Sequence, residues 1–129
     1  MSLRMSTIML GVKDLARAKE FYEALGCKAD KEARHFVSFD LGEGSSRLAL
    51  YEWEAAAQDA GVSAQGSGFR GASFHFSPDS REVVDEMMRN AVAAGGSVVK
   101  EAAAAPWGGY FGYFSDPDGY LWKVTTYAS

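Results

Sequence analysis

The run Thr7-Ile8-Met9-Leu10-Gly11-Val12-Lys13-Asp14-Leu15-Ala16-Arg17-Ala18-Lys19-Glu20-Phe21-Tyr22-Glu23-Ala24-Leu25-Gly26 decides how this chain folds. Ile8, Leu10 and Val12 alternate with Thr7, Met9 and Gly11, the period-2 pattern of a strand covered on one face. Asp14 then offers a carboxylate to the unpaired N–H groups of a first helical turn. Leu15, Ala18, Phe21, Tyr22 and Leu25 fall on one face of the helix that follows. Gly26 stops that helix where a left-handed conformation is wanted. Three strand-like runs come next, 27–30, 35–41 and 47–52, with residues 42–46 as the hairpin loop between the last two.

The same order recurs further along. Residues 71–76 alternate around Ala72, Phe74 and Phe76. Asp79 and Glu82 read as a capping box ahead of a helix with Val83, Val84, Met87, Met88, Ala91 and Val92 inward, and Gly95-Gly96 ends it. Strands follow at 97–101, 109–115 and 120–127, with Asp116-Pro117-Asp118-Gly119 as a hairpin turn. The chain therefore reads as two βαβββ modules, 5–52 and 71–127, joined by a connector over 53–70 that holds a short Ala-rich helix. All of 5–129 forms one domain, and the second methionine, Met5, marks 1–4 as an appended or disordered stretch.

Composition agrees and excludes much else. With 129 residues, 47% hydrophobic and 13% aromatic, the chain can bury a real core. One cysteine, Cys27, rules out an internal disulfide framework and a cysteine-based zinc site, and it lacks an activating partner. No apolar run reaches the roughly 18 residues of a membrane span, and no signal-peptide core is visible, so a cytoplasmic protein is expected. The net charge is −4 and the basic residues are scattered, which argues against nucleic acid as a partner.

Two pieces of the sequence resemble a known family. Val12-Lys13-Asp14-Leu15 followed by 21–26 is one, and Tyr113-Phe114-Ser115-Asp116-Pro117-Asp118-Gly119-Tyr120-Leu121-Trp122 is the other. Together they are similar to the vicinal oxygen chelate superfamily, which includes glyoxalase I, bleomycin-resistance proteins, fosfomycin-resistance enzymes and extradiol dioxygenases. The resemblance runs from Met5 to Tyr127. It implies an α+β fold in which the two modules form a U-shaped, curved mixed sheet around a cavity, with helices outside. It also implies a homodimer.

In metal-using members, ligands come from the first and last strands of each module. Register places Thr7, Ala49, Gly71 and Lys123 at those positions. A hydroxyl, a methyl, a hydrogen and an ammonium do not make a divalent-metal site, so neither metal nor other cofactor is expected. His75 lies on the inner face as a proton shuttle or ligand donor, or as a structural hydrogen-bonding group. Lys123 suits an anionic ligand, or a base if desolvated. In 106–113 glycines interleave with aromatics, so Trp107 and Tyr110 are expected to line the cavity and Phe114 to sit in the core. Tyr51, Trp53 and Phe69 flank the connector, where they close the cavity or bury a dimer contact.

The expected function is a metal-free cavity binding a small neutral or anionic, aromatic or hydrophobic molecule through Thr7, Met9, Tyr51, Ser73, His75, Trp107, Tyr110 and Lys123. The alternative is a lyase, isomerase or dioxygenase of the same fold. It would use a metal at a site shifted to His75, or no metal, with Lys123 and His75 as acid and base.

Overall fold

Strand β1 spans Thr7–Val12, and the side chains Leu10 and Val12, on the face opposite Thr7 and Met9, are almost fully buried. The computed structural model describes residues 5–66, 68–70, 72–106 and 108–129. Helix α1, Leu15–Ala24, starts where expected: the Asp14 side chain accepts a hydrogen bond from the Arg17 N–H. It buries Ala18, Phe21 and Tyr22. Gly26 follows at φ 106°, as Gly95 does at φ 109° after the second module's helix, so both helices stop at a residue free to turn left-handed.

Strands β2 (Lys28–Ala33), β3 (Phe36–Asp40) and β4 (Arg47–Glu52) complete the first sheet, in the order β1-β4-β3-β2. The β1/β4 pair is parallel and the others antiparallel. Val37, Phe39, Leu48 and Leu50 join Phe21 and Tyr22 in a core against α1. Phe21 and Tyr22 meet edge-on at 5.0 Å. The Ala-rich stretch of the connector is helix α2, Trp53–Ala60. It packs on the same face of β1 as Thr7 and Met9, over Gly11. A Cβ at Gly11 would lie 3.6 Å from the Ala56 Cβ and from the Trp53 ring.

The chain divides into two compact units, 1–66 and 67–129. In the second, β5 (Phe74–Phe76), helix α3 (Arg81–Ala93), β6 (Ser97–Ala104), β7 (Tyr110–Ser115) and β8 (Leu121–Thr126) repeat the first unit's order as β5-β8-β7-β6, again with one parallel pair. Trp122 organises this core: Phe76 stacks on it at 4.6 Å and Phe114 at 6.4 Å. The 116–119 turn forms as expected, with buried Asp116 accepting from the N–H groups of Asp118 and Tyr120.

Several details depart from expectation. The cap of α3 is Ser80, not Asp79: Ser80 is extended (φ −143°, ψ 158°) and its Oγ accepts from the Val83 N–H at 3.2 Å. Glu82 stays in the first turn, where a negative charge suits the helix dipole. The buried stripe of α3 is narrower than its apolar pattern, limited to Val84, Met88 and Ala91, while Val83 and Val92 are exposed. Strand β5 is shorter than 71–76, and β6 runs on to Ala104 through two irregularities of register. No helix among the described residues is long and apolar enough to cross a membrane.

Candidate functional site

In the first unit the inner face is the one opposite α1. Parallel pairing sets Met9 beside Ala49 and Thr7 beside Arg47, and antiparallel pairing adds Ser38 beside Ala49 and Lys31 beside Ser38. One row across the sheet therefore reads Met9, Ala49, Ser38, Lys31. The β2/β3 register shifts between Ala29 and Lys31, leaving Asp30 out of the ladder. That frees its carboxylate to meet the next strands: Oδ1 accepts from the Ser38 hydroxyl at 2.9 Å and Oδ2 from Arg47 Nη2. The same Nη2 donates to Ser38 Oγ at 3.0 Å. The Arg47 guanidinium, with a smaller contribution from the Ser38 hydroxyl, holds Asp30 below the usual carboxylate range.

This face carries a recess of about 490 Å³, to which Thr7, Met9 and Tyr51 all contribute. Three candidate residues are thus brought together within one unit. Phe36 and Tyr51, edge-on at 6.1 Å, form its aromatic wall, and Asp59 of α2 contributes the one carboxylate among its lining residues. Ser38 and Ala49 are almost fully buried at its floor, whereas Met9 stands 41% exposed.

In the second unit the equivalent row reads His75, Lys123, Tyr113, Lys100. Ser73 Oγ and His75 Nε2 are hydrogen-bonded at 3.2 Å. The Lys123 ammonium lies 4.6 Å from the centre of the Phe111 ring and 5.9 Å from that of Tyr113, and Lys100 approaches Phe111 to 4.8 Å. Two cations therefore gather round one ring, an arrangement favoured by the negative face of the π system.

Tyr110 does not share that face. Its hydroxyl donates to Asp85 Oδ1 of α3 at 2.6 Å, and the Arg81 guanidinium sits 5.0 Å from its ring, so it packs on the helix side with Phe114. Tyr110, Gly112 and Phe114 have the same parity, so the sequence already held that information once Phe114 was placed in the core. Trp107 and Gly71 lie outside the described residues. Burial pushes the Cys27 thiol up to about 11, which keeps it protonated at neutral pH.

The residues at the candidate metal positions do not suit a metal ion. In the first unit Ala49 pairs with Met9, a methyl beside a thioether, and in the second Lys123 pairs with His75, an ammonium beside one imidazole; neither pair makes a divalent-metal site. Among the described residues, no group of three His, Cys, Asp or Glu side chains is placed to hold a metal ion.

Residues 4–124 match the family model of the Glyoxalase/Bleomycin resistance protein/Dioxygenase superfamily. The chain belongs to this superfamily. Among solved structures it is similar to a glyoxalase-related enzyme from Fulvimarina pelagi, with 28% identity over 95% of this chain and 87% of that one and a TM-score of 0.84. Hypothetical protein SA1046 from S. aureus also gives a TM-score of 0.84, at 25% identity over 98% of this chain and 94% of that one. A glyoxalase/bleomycin resistance protein/dioxygenase family enzyme from Burkholderia phytofirmans PsJN, at 20% identity over 94% and 96% of the two chains, shares the fold with the same TM-score. Comparison with curated proteins gives no match. The shared fold is the one in which the two sheets repeat one strand order.

Missed in the sequence were Arg47, Asp30, Ser38, Phe36, Lys31, Lys100 and Phe111. Strand parity could have given Ser38, which lies between the outward Val37 and Phe39, and Arg47, two residues before Ala49. Nothing local announces Asp30, because its position depends on the irregularity in β2.

Proposed function

We propose that this superfamily member is a metal-independent binder of a small neutral or anionic, aromatic or hydrophobic molecule. The inner faces of its two units supply the contacts, with Thr7, Met9 and Tyr51 in the first and Ser73, His75 and Lys123 in the second. The single observation that carries this is Lys123. A lysine ammonium stands beside His75 on the inner face, at a position where metal-using relatives place a ligand, and it rests against the Phe111 and Tyr113 rings. A cation there repels a divalent metal and attracts an anion. Tyr110 drops out of the set because its hydroxyl is committed to Asp85.

A second reading, general acid–base catalysis by His75 and Lys123, draws support from their direct pairing across β5 and β8. The protein is further proposed to be a cytoplasmic homodimer; one cysteine in 129 residues suits a reducing compartment.

The test is titration of chelator-treated protein with Mn, Fe, Ni and Zn, beside a panel of small aromatic acids, amides and amines followed by calorimetry. Binding of aromatic compounds without added metal is expected, with Lys123→Met weakening those held at the second unit. Stoichiometric, tight metal uptake lost on His75→Ala would overturn the proposal.

A further inference from the structure

We infer that the recess of the first unit is a site for an aromatic carboxylate, with Arg47 as the residue that grips the acid group. This deepens, and rests on, the binding function proposed above. It names the ligand class and the residues that select it.

The recess is large enough for such a ligand, about 490 Å³ within the roughly 300–1,000 Å³ of small-molecule pockets. Its two kinds of lining match the ligand's two ends. Phe36, Tyr51 and Met9 offer two ring surfaces and a thioether to an aromatic body. Arg47, Lys31 and Thr7 offer donors to a carboxylate.

Arg47 is held ready for this role. A guanidinium has five N–H donors in a rigid fork, and its bonds to Asp30 and Ser38 leave from Nη2 alone. The Nε and Nη1 donors remain for a ligand, in a side chain that is only partly exposed. Asp30 and Ser38 are thus positioning residues: they fix the fork in place before a ligand arrives, which lowers the ordering cost of binding.

The open hydrogen-bonding groups favour an acid over an amine. Both Asp30 oxygens are engaged by Arg47 and Ser38 and that ion pair is neutral as a whole, Lys31 balances Asp59, and the groups left to meet a ligand are the remaining N–H donors of Arg47. A carboxylate ligand gains charge-assisted bonds at the fork. An amide keeps the ring contacts but gives up the charge, and a protonated amine brings no acceptor to the Arg47 donors.

Benzoate, benzamide and benzylamine, titrated by calorimetry into the full chain, test this directly. Benzoate is expected to bind about tenfold or more tightly than benzamide, the factor that corresponds to a charge-assisted rather than neutral hydrogen bond. Arg47→Met should remove that difference, and Arg47→Lys should restore it only in part. Amide shifts in NMR spectra of the unaltered protein supply a readout that needs no variant. Benzoate should perturb Ser38, Ala49 and Tyr51. Benzoate binding that survives Arg47→Met but is lost with Lys123→Met, or shifts confined to His75 and Lys123, would overturn the inference and leave the proposed function standing. Tighter binding of benzylamine than of benzoate would overturn it too. Failure of every aromatic compound to bind at either unit would overturn both.

Discussion

Gly112 shows how much one missing side chain can control. It faces the stretch of β6 where Lys100 pairs with Tyr113 and Ala103 with Phe111, so Glu101 and Ala102 together oppose this single glycine. A Cβ there would lie 3.0 Å from both the Lys100 carbonyl oxygen and the Ala102 nitrogen. Both are backbone atoms, which cannot swing aside as a side-chain tip can. Gly112→Ala is therefore expected to destabilise the protein by roughly 1–3 kcal/mol, the usual cost of overpacking, measured by urea unfolding. An unchanged midpoint would show that β6 yields freely. Such a contact is invisible in the sequence, where Gly112 reads as one more glycine in an aromatic stretch. Strand parity was legible in the same segment: Phe114 is buried in the core. Tyr110 was misplaced only because composition outweighed that parity.

The elements themselves were legible wherever a local signal fixed them. Asp14 and Gly26 bracket α1 because one side chain satisfies a free N–H and the other residue turns left-handed. At α3 two adjacent candidates, Asp79 and Ser80, compete for one cap. The winner is set by which of them is extended when the helix begins. The geometry assigns it to Ser80, so Ser80→Ala is expected to cost about 1 kcal/mol and Asp79→Ala clearly less. Thermal unfolding of the two variants side by side decides this; a larger loss for Asp79→Ala would return the cap to the sequence-based choice. Irregularities of register in β2 and β6 were not legible, since they arise from cross-strand pairing rather than from any residue's own preference. That is why Asp30, Lys31 and Lys100 were missed as members of the inner faces.

At the scale of the whole chain, the proposed homodimer predicts a mass of twice 13.9 kDa in sedimentation equilibrium. A mass of one chain at micromolar concentration would remove that part of the reading. The duplicated order of the sheets was open to inspection because βαβββ recurs in hydrophobic period and turn chemistry alike. The two halves nevertheless differ where it matters chemically. Their buried outer faces are interchangeable in kind, with Leu48 and Leu50 answering to Trp122 and Val124. Across the inner faces, Met9, Ala49, Ser38 and Lys31 answer to His75, Lys123, Tyr113 and Lys100, and only the lysine after each irregularity is common. One scaffold thus holds two separately editable palettes. A designer could exchange the lining positions that stand exposed, such as Met9 and Lys31, without touching the packed outer faces, whereas Ala49 and Ser38 are buried and tie the first row to the fold.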